Sequence, residues 1–150
     1  MHKQHYIHLL IMTVLSYIAM YVFMYSMVDR FANVYPNVNQ LYMAGVMAAP
    51  MVLIELFVMR AMYPRTGLNV AIGTAAIILL ALFFAAIRFQ TGVGDVQFVK
   101  SMIPHHAGAI LMCQGASLTD AELKKLCGEI NESQQREIDQ MKAILTRLEK

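Results

Sequence analysis

The chain has 150 residues, 58% of them hydrophobic and 15% charged, with a net charge of +2 and no Trp. Its acidic and basic residues are mixed, and no basic stripe is interleaved with aromatics, which excludes a nucleic-acid-binding surface. The apolar residues crowd into the first 90 positions, and that asymmetry points to a membrane.

No Asp, Glu, Lys or Arg stands between Lys3 and Asp29, between Arg30 and Glu55, or between Arg65 and Arg88. Each gap can span a bilayer, which needs about 20 apolar residues in a helix. The pattern predicts transmembrane helices over Tyr6–Val28, Leu41–Met62 and Leu68–Ile87, joined by short loops. The first is no signal peptide, because its apolar run is too long and no small-residue cleavage site follows. Lys3, Arg60 and Arg65 on one side balance Arg30, Arg88 and Lys100 on the other. The N-terminal amine and the short Arg60–Arg65 loop tilt the reading toward an inner N-terminus and an outer C-terminal tail.

Three features of this membrane domain, residues 1–91, bear chemistry. His2, His5 and His8 recur at three-residue spacing, as a weak metal patch or a solvated interfacial segment. Glu55 is an intramembrane ionisable residue and a functional suspect, or a snorkelling side chain near the inner end of its span. Thirteen methionines are present, ten of them within positions 1–62. Met20, Met24 and Met27 share one helix face, and so do Met43, Met47 and Met51. They line a thioether groove that passes reduced copper to the tail, or they are flexible packing between apolar helices.

From Gly92 the charges return, and residues 92–150 form a second domain too small to build a large core alone. Gly92 and Gly94 end the third span, and Asp95 caps a helix in which Phe98, Met102, His105, His106, Ala109, Met112 and Cys113 fall within an arc of about 120°. Pro104, inside this helix, should bend it. The pattern breaks at Gly115–Leu118, and Thr119-Asp-Ala-Glu122 has the form of a capping box that opens a second helix. A turn centred near Ser117 makes the pair an antiparallel hairpin with Ala107 at the level of Cys127 and Met141 on the order of 10 Å beyond Met102. Gln134 and Glu137 are the polar residues on its apolar side.

Adjacent buried histidines are costly without partners, and few anions stand near them in the sequence; a metal explains them economically. Sulfur and imidazole together favour copper in its reduced state over ions that want oxygen. The bland alternative makes Met102, Met112 and Cys113 core fillers and leaves the histidines at an interface. Cys113 and Cys127 are not expected to pair, because this register separates their levels by roughly 9 Å. Cys127 is a small core residue or a fourth ligand. No catalytic motif is present, and no enzyme is expected.

The string Met102-Ile-Pro-His-His106, followed by Ala109-Ile110 and Met112, then Gln134, Glu137-Ile138 and Met141, resembles the domain of unknown function 305 family over about residues 95–148. The resemblance implies a ferritin-like helical bundle, often exported or membrane-anchored in bacteria, with members linked to copper binding and tolerance. It implies Met102, His105, His106, Met112 and Met141 as copper ligands. Cys113 stands where the family more often has a small residue, and it is kept as a further candidate.

The expected molecule is therefore an all-α membrane protein: three transmembrane helices and a C-terminal antiparallel hairpin that completes a bundle by homo-oligomerisation. Its expected role is to buffer, sequester or relay copper at a bacterial inner membrane, with the hairpin on the periplasmic side and a copper donor or acceptor protein as partner. The alternative is an oligomeric assembly module whose His/Met stripe is structural.

Overall fold

The structure, a computed structural model, describes the backbone from His2 to Lys150 and side chains from Gln4 onward. Of the N-terminal histidines, the His2 side chain lies outside the described residues, as does that of Lys3. Among the described residues five α-helices follow in order: α1 (His2–Phe23), α2 (Val38–Val58), α3 (Thr66–Arg88), α4 (Asp95–Gly115) and α5 (Ala121–Leu148). The described residues contain no strand. Three segments, Gln4–Met27, Val38–Val58 and Thr66–Arg88, are long and apolar enough to cross a membrane. They match the three expected spans with ends shifted by a few residues. Met24–Met27 continues α1 as a 3-10 turn, and α2 begins three residues early and stops at Val58, before a 3-10 turn over Arg60–Met62.

The chain divides into two units. The first holds residues up to Met24 and Asn39–Thr91; the second holds Tyr25–Val38 and Gly92–Lys150. The boundary at Thr91/Gly92 is where the composition changes. That residues 25–38 belong to the C-terminal unit is a departure from the expected division.

In the first unit α2 supplies the small residues Ala44, Gly45, Ala48 and Ala49, all buried. They let helix backbones approach closely where hydrophobicity alone gives no drive between apolar helices. Gly45 is required there, because a Cβ would run into the Phe83 ring of α3. A cavity of about 400 Å³ opens among the three helices, lined by side chains that include Leu9, Val14, Ala48, Val52, Ile72 and Phe83. No methionine lines it, and Met43 and Met47 are exposed on the outside of α2. Of the other methionines expected to line a thioether groove, Met20, Met24 and Met51 are half-buried.

One polar chain closes the end of this unit. Tyr6 donates to Asn69 Oδ1 at 2.8 Å, Asn69 donates to the Tyr63 carbonyl at 2.7 Å, and Tyr63 donates to Glu55 Oε1 at 3.0 Å. The suspect carboxylate is thus a hydrogen-bond acceptor that helps pin α1, α2 and α3 together. Burial first, then the bond to Glu55 and its charge, push the Tyr63 hydroxyl up to about 12. At the end of α3, Thr91 N–H bonds Ala86 O at 2.9 Å and Gln90 N–H bonds Ile87 O at 3.3 Å, the paired bonds of a Schellman motif. Gln90 takes the left-handed conformation this needs, with φ of 50°. The expected glycine stop comes two residues later, at Gly92 with φ of 72°.

In the second unit α4 and α5 pack antiparallel over a core of Val99, Ile103, Ala107, Ile110, Ile138 and Leu145. Gly94, rather than Asp95, is the N-cap of α4; Asp95 instead puts its charge in the first turn, where the helix dipole favours it. The expected capping box is also displaced, since Asp120 caps α5 by accepting from Leu123 N at 2.9 Å. α4 runs unbroken through Pro104. Pro104 has no N–H for the carbonyl of Lys100, and Asn37 Nδ2 approaches that oxygen at 3.5 Å.

The hairpin register differs from the expected one: the turn covers residues 116–120, and the facing pairs are centred near residue 120 and not near Ser117. Cys113 and Cys127 consequently face each other, with Cα atoms 5.3 Å apart, and are joined in a disulfide. The expectation of unpaired cysteines, and of Cys113 as a metal ligand, is overturned: a sulfur in a disulfide offers no thiolate.

Residues 25–38 are anchored on this hairpin. Asn33, fully buried, donates to Asp29 at 2.6 Å and accepts from Lys142 Nζ at 2.6 Å. Gln97 accepts from Val38 N at 3.0 Å, and Val28 and Tyr35 pack against the hairpin core.

Two outcomes follow for the full chain in detergent. Replacing both cysteines by Ser should destabilise the hairpin by on the order of 3 kcal/mol, the cost of reopening a loop of this size; unfolding unaffected by reductant would show the cysteines unjoined. Asn33→Ala removes the partner of a lysine ammonium and should cost about 1–3 kcal/mol in the same unfolding transition.

Candidate metal centre

α4 presents its histidines on different faces. His106 is 7% exposed and His105 is exposed, with ring centroids 6.2 Å apart. Successive residues on a helix are about 100° apart, and the buried face of α4 is centred on Ile103, Ala107 and Ile110. His106 falls at the edge of that face. His105 falls outside it, with Phe98 at 52% and Met112 at 61% exposure. The expected single inward arc of sulfur and imidazole is therefore split, with Met102, Ala109 and Cys113 half-buried between its two halves.

His106 has protein partners at both ring nitrogens. Nδ1 lies 2.9 Å from Met102 O and Nε2 lies 2.6 Å from Glu137 Oε2. A carbonyl oxygen only accepts, so Nδ1 carries hydrogen. The remaining nitrogen, Nε2, shares a proton with the Glu137 carboxyl group. This overturns the premise that the buried histidine lacks an anionic partner: Glu137 offsets the cost of its burial without a metal. The sequence does carry the signal, since Glu137 is polar on the apolar side of α5, but the expected register, about six residues off at the cysteines, hides the pairing.

The same register moves Met141. Four residues back along α4 from His106 is Met102, and four forward along α5 from Glu137 is Met141, so in antiparallel helices the two thioethers share a level. Both residues are half-buried, and Met141 packs against the hairpin core. In this register Met141 no longer lies a further 10 Å or so along the axis beyond Met102, as the expected register had it. One hairpin joins His106 to Glu137, and its register puts Met102 and Met141 at one level a turn away. It leaves His105 and Met112 on another flank of α4, and it takes Cys113 out of the donor set.

Chemically, a backbone acceptor on Nδ1 fixes the tautomer and aims Nε2, the arrangement common to metal-ligating histidines. Here Nε2 meets a carboxylate whose side chain is 51% exposed and has room to swing outward. Among the described residues no group of three or more His, Cys, Asp or Glu is placed to hold a metal. The thioethers of Met102 and Met141 are the soft donors this part of the hairpin offers beside the imidazole.

A family model described as domain of unknown function (DUF305) matches residues 90–150, which cover the junction after α3 and the whole hairpin. The uncharacterized protein L153 of Acanthamoeba polyphaga mimivirus is 32% identical over 143 residues, covering 91% of this chain and 90% of that protein. The similarity therefore extends through the three apolar helices. No solved structure is significantly similar to the chain. With the family model lying on the hairpin that carries the His106 and Met102 positions, and a relative matched along nearly its whole length, the chain belongs to the DUF305 family.

Proposed function

We propose that the protein is a membrane-anchored copper-binding protein that buffers or relays reduced copper on the outer side of a bacterial inner membrane. The observation that supports this best is the hairpin register, which brings Met141 to the level of Met102, one helical turn along α4 from His106. Two thioethers and one imidazole suit a d¹⁰ ion and disfavour magnesium or calcium. Entry of the ion requires Glu137 to swing away from Nε2, with release of the proton the two share. Copper binding is then opposed by acid, because protons compete for the same nitrogen.

The disulfide supports an outward-facing hairpin, since such bonds persist in oxidising compartments. It is also consistent with the donor set. In an oxidising compartment thiolates are consumed, whereas thioethers and imidazoles remain available as soft ligands. Three helices whose outer faces carry Leu10, Leu15, Leu82 and Phe84 in exposed positions support membrane anchoring, because a soluble protein rarely leaves so much apolar surface open.

A second reading has its own observation. Phe98, His105 and Met112 recur every seven residues on the exposed flank of α4, and Leu123 and Leu126 are exposed on α5. Heptad spacing of this kind suits packing against a further helix, and the hairpin would then be an assembly module completed by other copies of the chain.

The two readings separate on one experiment. The purified full chain in detergent is titrated with reduced copper against a coloured chelator, and its mass is measured by light scattering. Met102→Leu with His106→Ala should weaken copper binding at least about tenfold and leave the mass unchanged. A change of mass with no copper retained by the unmutated protein would favour the assembly module and end the copper reading.

A further inference from the structure

The surroundings of one residue without a side chain point to a second metal position. Gly108 is buried in α4, and a Cβ placed there would stand 3.3 Å from the carbonyl oxygen of Met27. The backbone of the 3-10 turn Met24–Met27 thus lies against the helix at this glycine. It is held there on both sides: Val28 packs against the hairpin core, and Tyr25 donates to Tyr35 O at 2.9 Å.

His105 and Met112 flank Gly108 at three residues before and four after, so their Cβ atoms are about 5–6 Å from the glycine position on one ridge of the helix. Both are exposed, and Met27 is 51% exposed while its neighbour Val28 is taken into the core. The Met27 backbone and the exposed side chains of His105 and Met112 therefore lie around a single glycine, with the flexible Met27 thioether free to reach toward them. Two of these residues come from the hairpin and one from the loop that α1 delivers.

We infer that Met27, His105 and Met112 form a second soft-metal site, distinct from the one built on Met102, His106 and Met141. This rests on the copper reading and extends it, because Met27 lies outside the stretch that matches the family. The site takes reduced copper or silver through two thioether sulfurs and one imidazole nitrogen. No carboxylate is required, and methionine has no proton to lose, so only His105 must be unprotonated for binding. Its open position gives rapid exchange with solvent or with a donor protein, whereas the Met102 site opens only when Glu137 moves.

The test uses the full chain in detergent without oxygen. Titration with reduced copper should give two equivalents for the unmutated protein, and one for Met27→Leu and for His105→Ala. Met102→Leu with His106→Ala should keep the other equivalent. Two equivalents retained in Met27→Leu would overturn the inference and leave the copper reading standing. A single equivalent in the unmutated protein, lost in Met102→Leu with His106→Ala, would do the same. No copper retained by the unmutated protein would sink both. A measurement that needs no variant is the methyl resonance of labelled methionine during silver titration: Met27 and Met112 should shift together at the same equivalent, and a Met27 methyl that stays still overturns the site.

Discussion

The pairing of α4 with α5 in one particular register is the constraint on which the rest of the C-terminal unit depends. A covalent bond between Cys113 and Cys127 sets it near the turn, and the contact of His106 Nε2 with Glu137 Oε2 holds it farther down. Ile138 and Leu145 reach the α4 core in that register, and Lys100 meets Glu149 at 2.7 Å near the open end. The exposed ion pair contributes little by comparison with the disulfide and the buried apolar layer. A slip of three residues would separate the cysteines and return His106 to an apolar surface with no partner, so sulfur, charge and packing all enforce the same alignment.

Register is also where sequence reading reaches its limit. The three apolar helices are legible because a run of 20 or more residues without a charge has few structural fates besides a buried or membrane-spanning helix. The hairpin is legible because apolar residues recur at helical spacing from Val96 to Leu148. Its alignment is not. Six residues from Gly115 to Asp120 carry several competing turn and cap signals, and Thr119 and Asp120 are both good caps. At about 1.5 Å per residue, the wrong centre displaces every cross-helix pair. The missed disulfide, the missed His106–Glu137 contact and the misplaced Met141 are three consequences of that one choice. The inward placement of His105 and Met112 fails for a different reason: a wheel defines an arc, but which edge of the arc faces the partner depends on residues such as Ile103 and Ala107 outside it.

The loop over residues 25–38 is illegible for a third reason. Asn33 and Lys142 are 109 residues apart, and a single polar pair at such separation leaves no periodic trace. Yet it decides what the hairpin is packed on. Asn33 links Asp29 to Lys142 through a neutral amide, so opposite charges are satisfied at either end of one buried side chain. Buried amides of this kind stabilise only when both ends are committed, and here both are.

The loop has a topological consequence. The chain enters the C-terminal unit at Tyr25, leaves it at Val38 and returns at Gly92. The hairpin is therefore tethered twice, once covalently through Gly92–Gly94 and once through the residues that follow α1. A protease that cut the polypeptide at Gly92–Gly94 would sever only the first tether. The released fragment would remain seated on the intact loop by Asn33, Gln97 and the core contacts of Val28 and Tyr35, and the two pieces would travel as one particle.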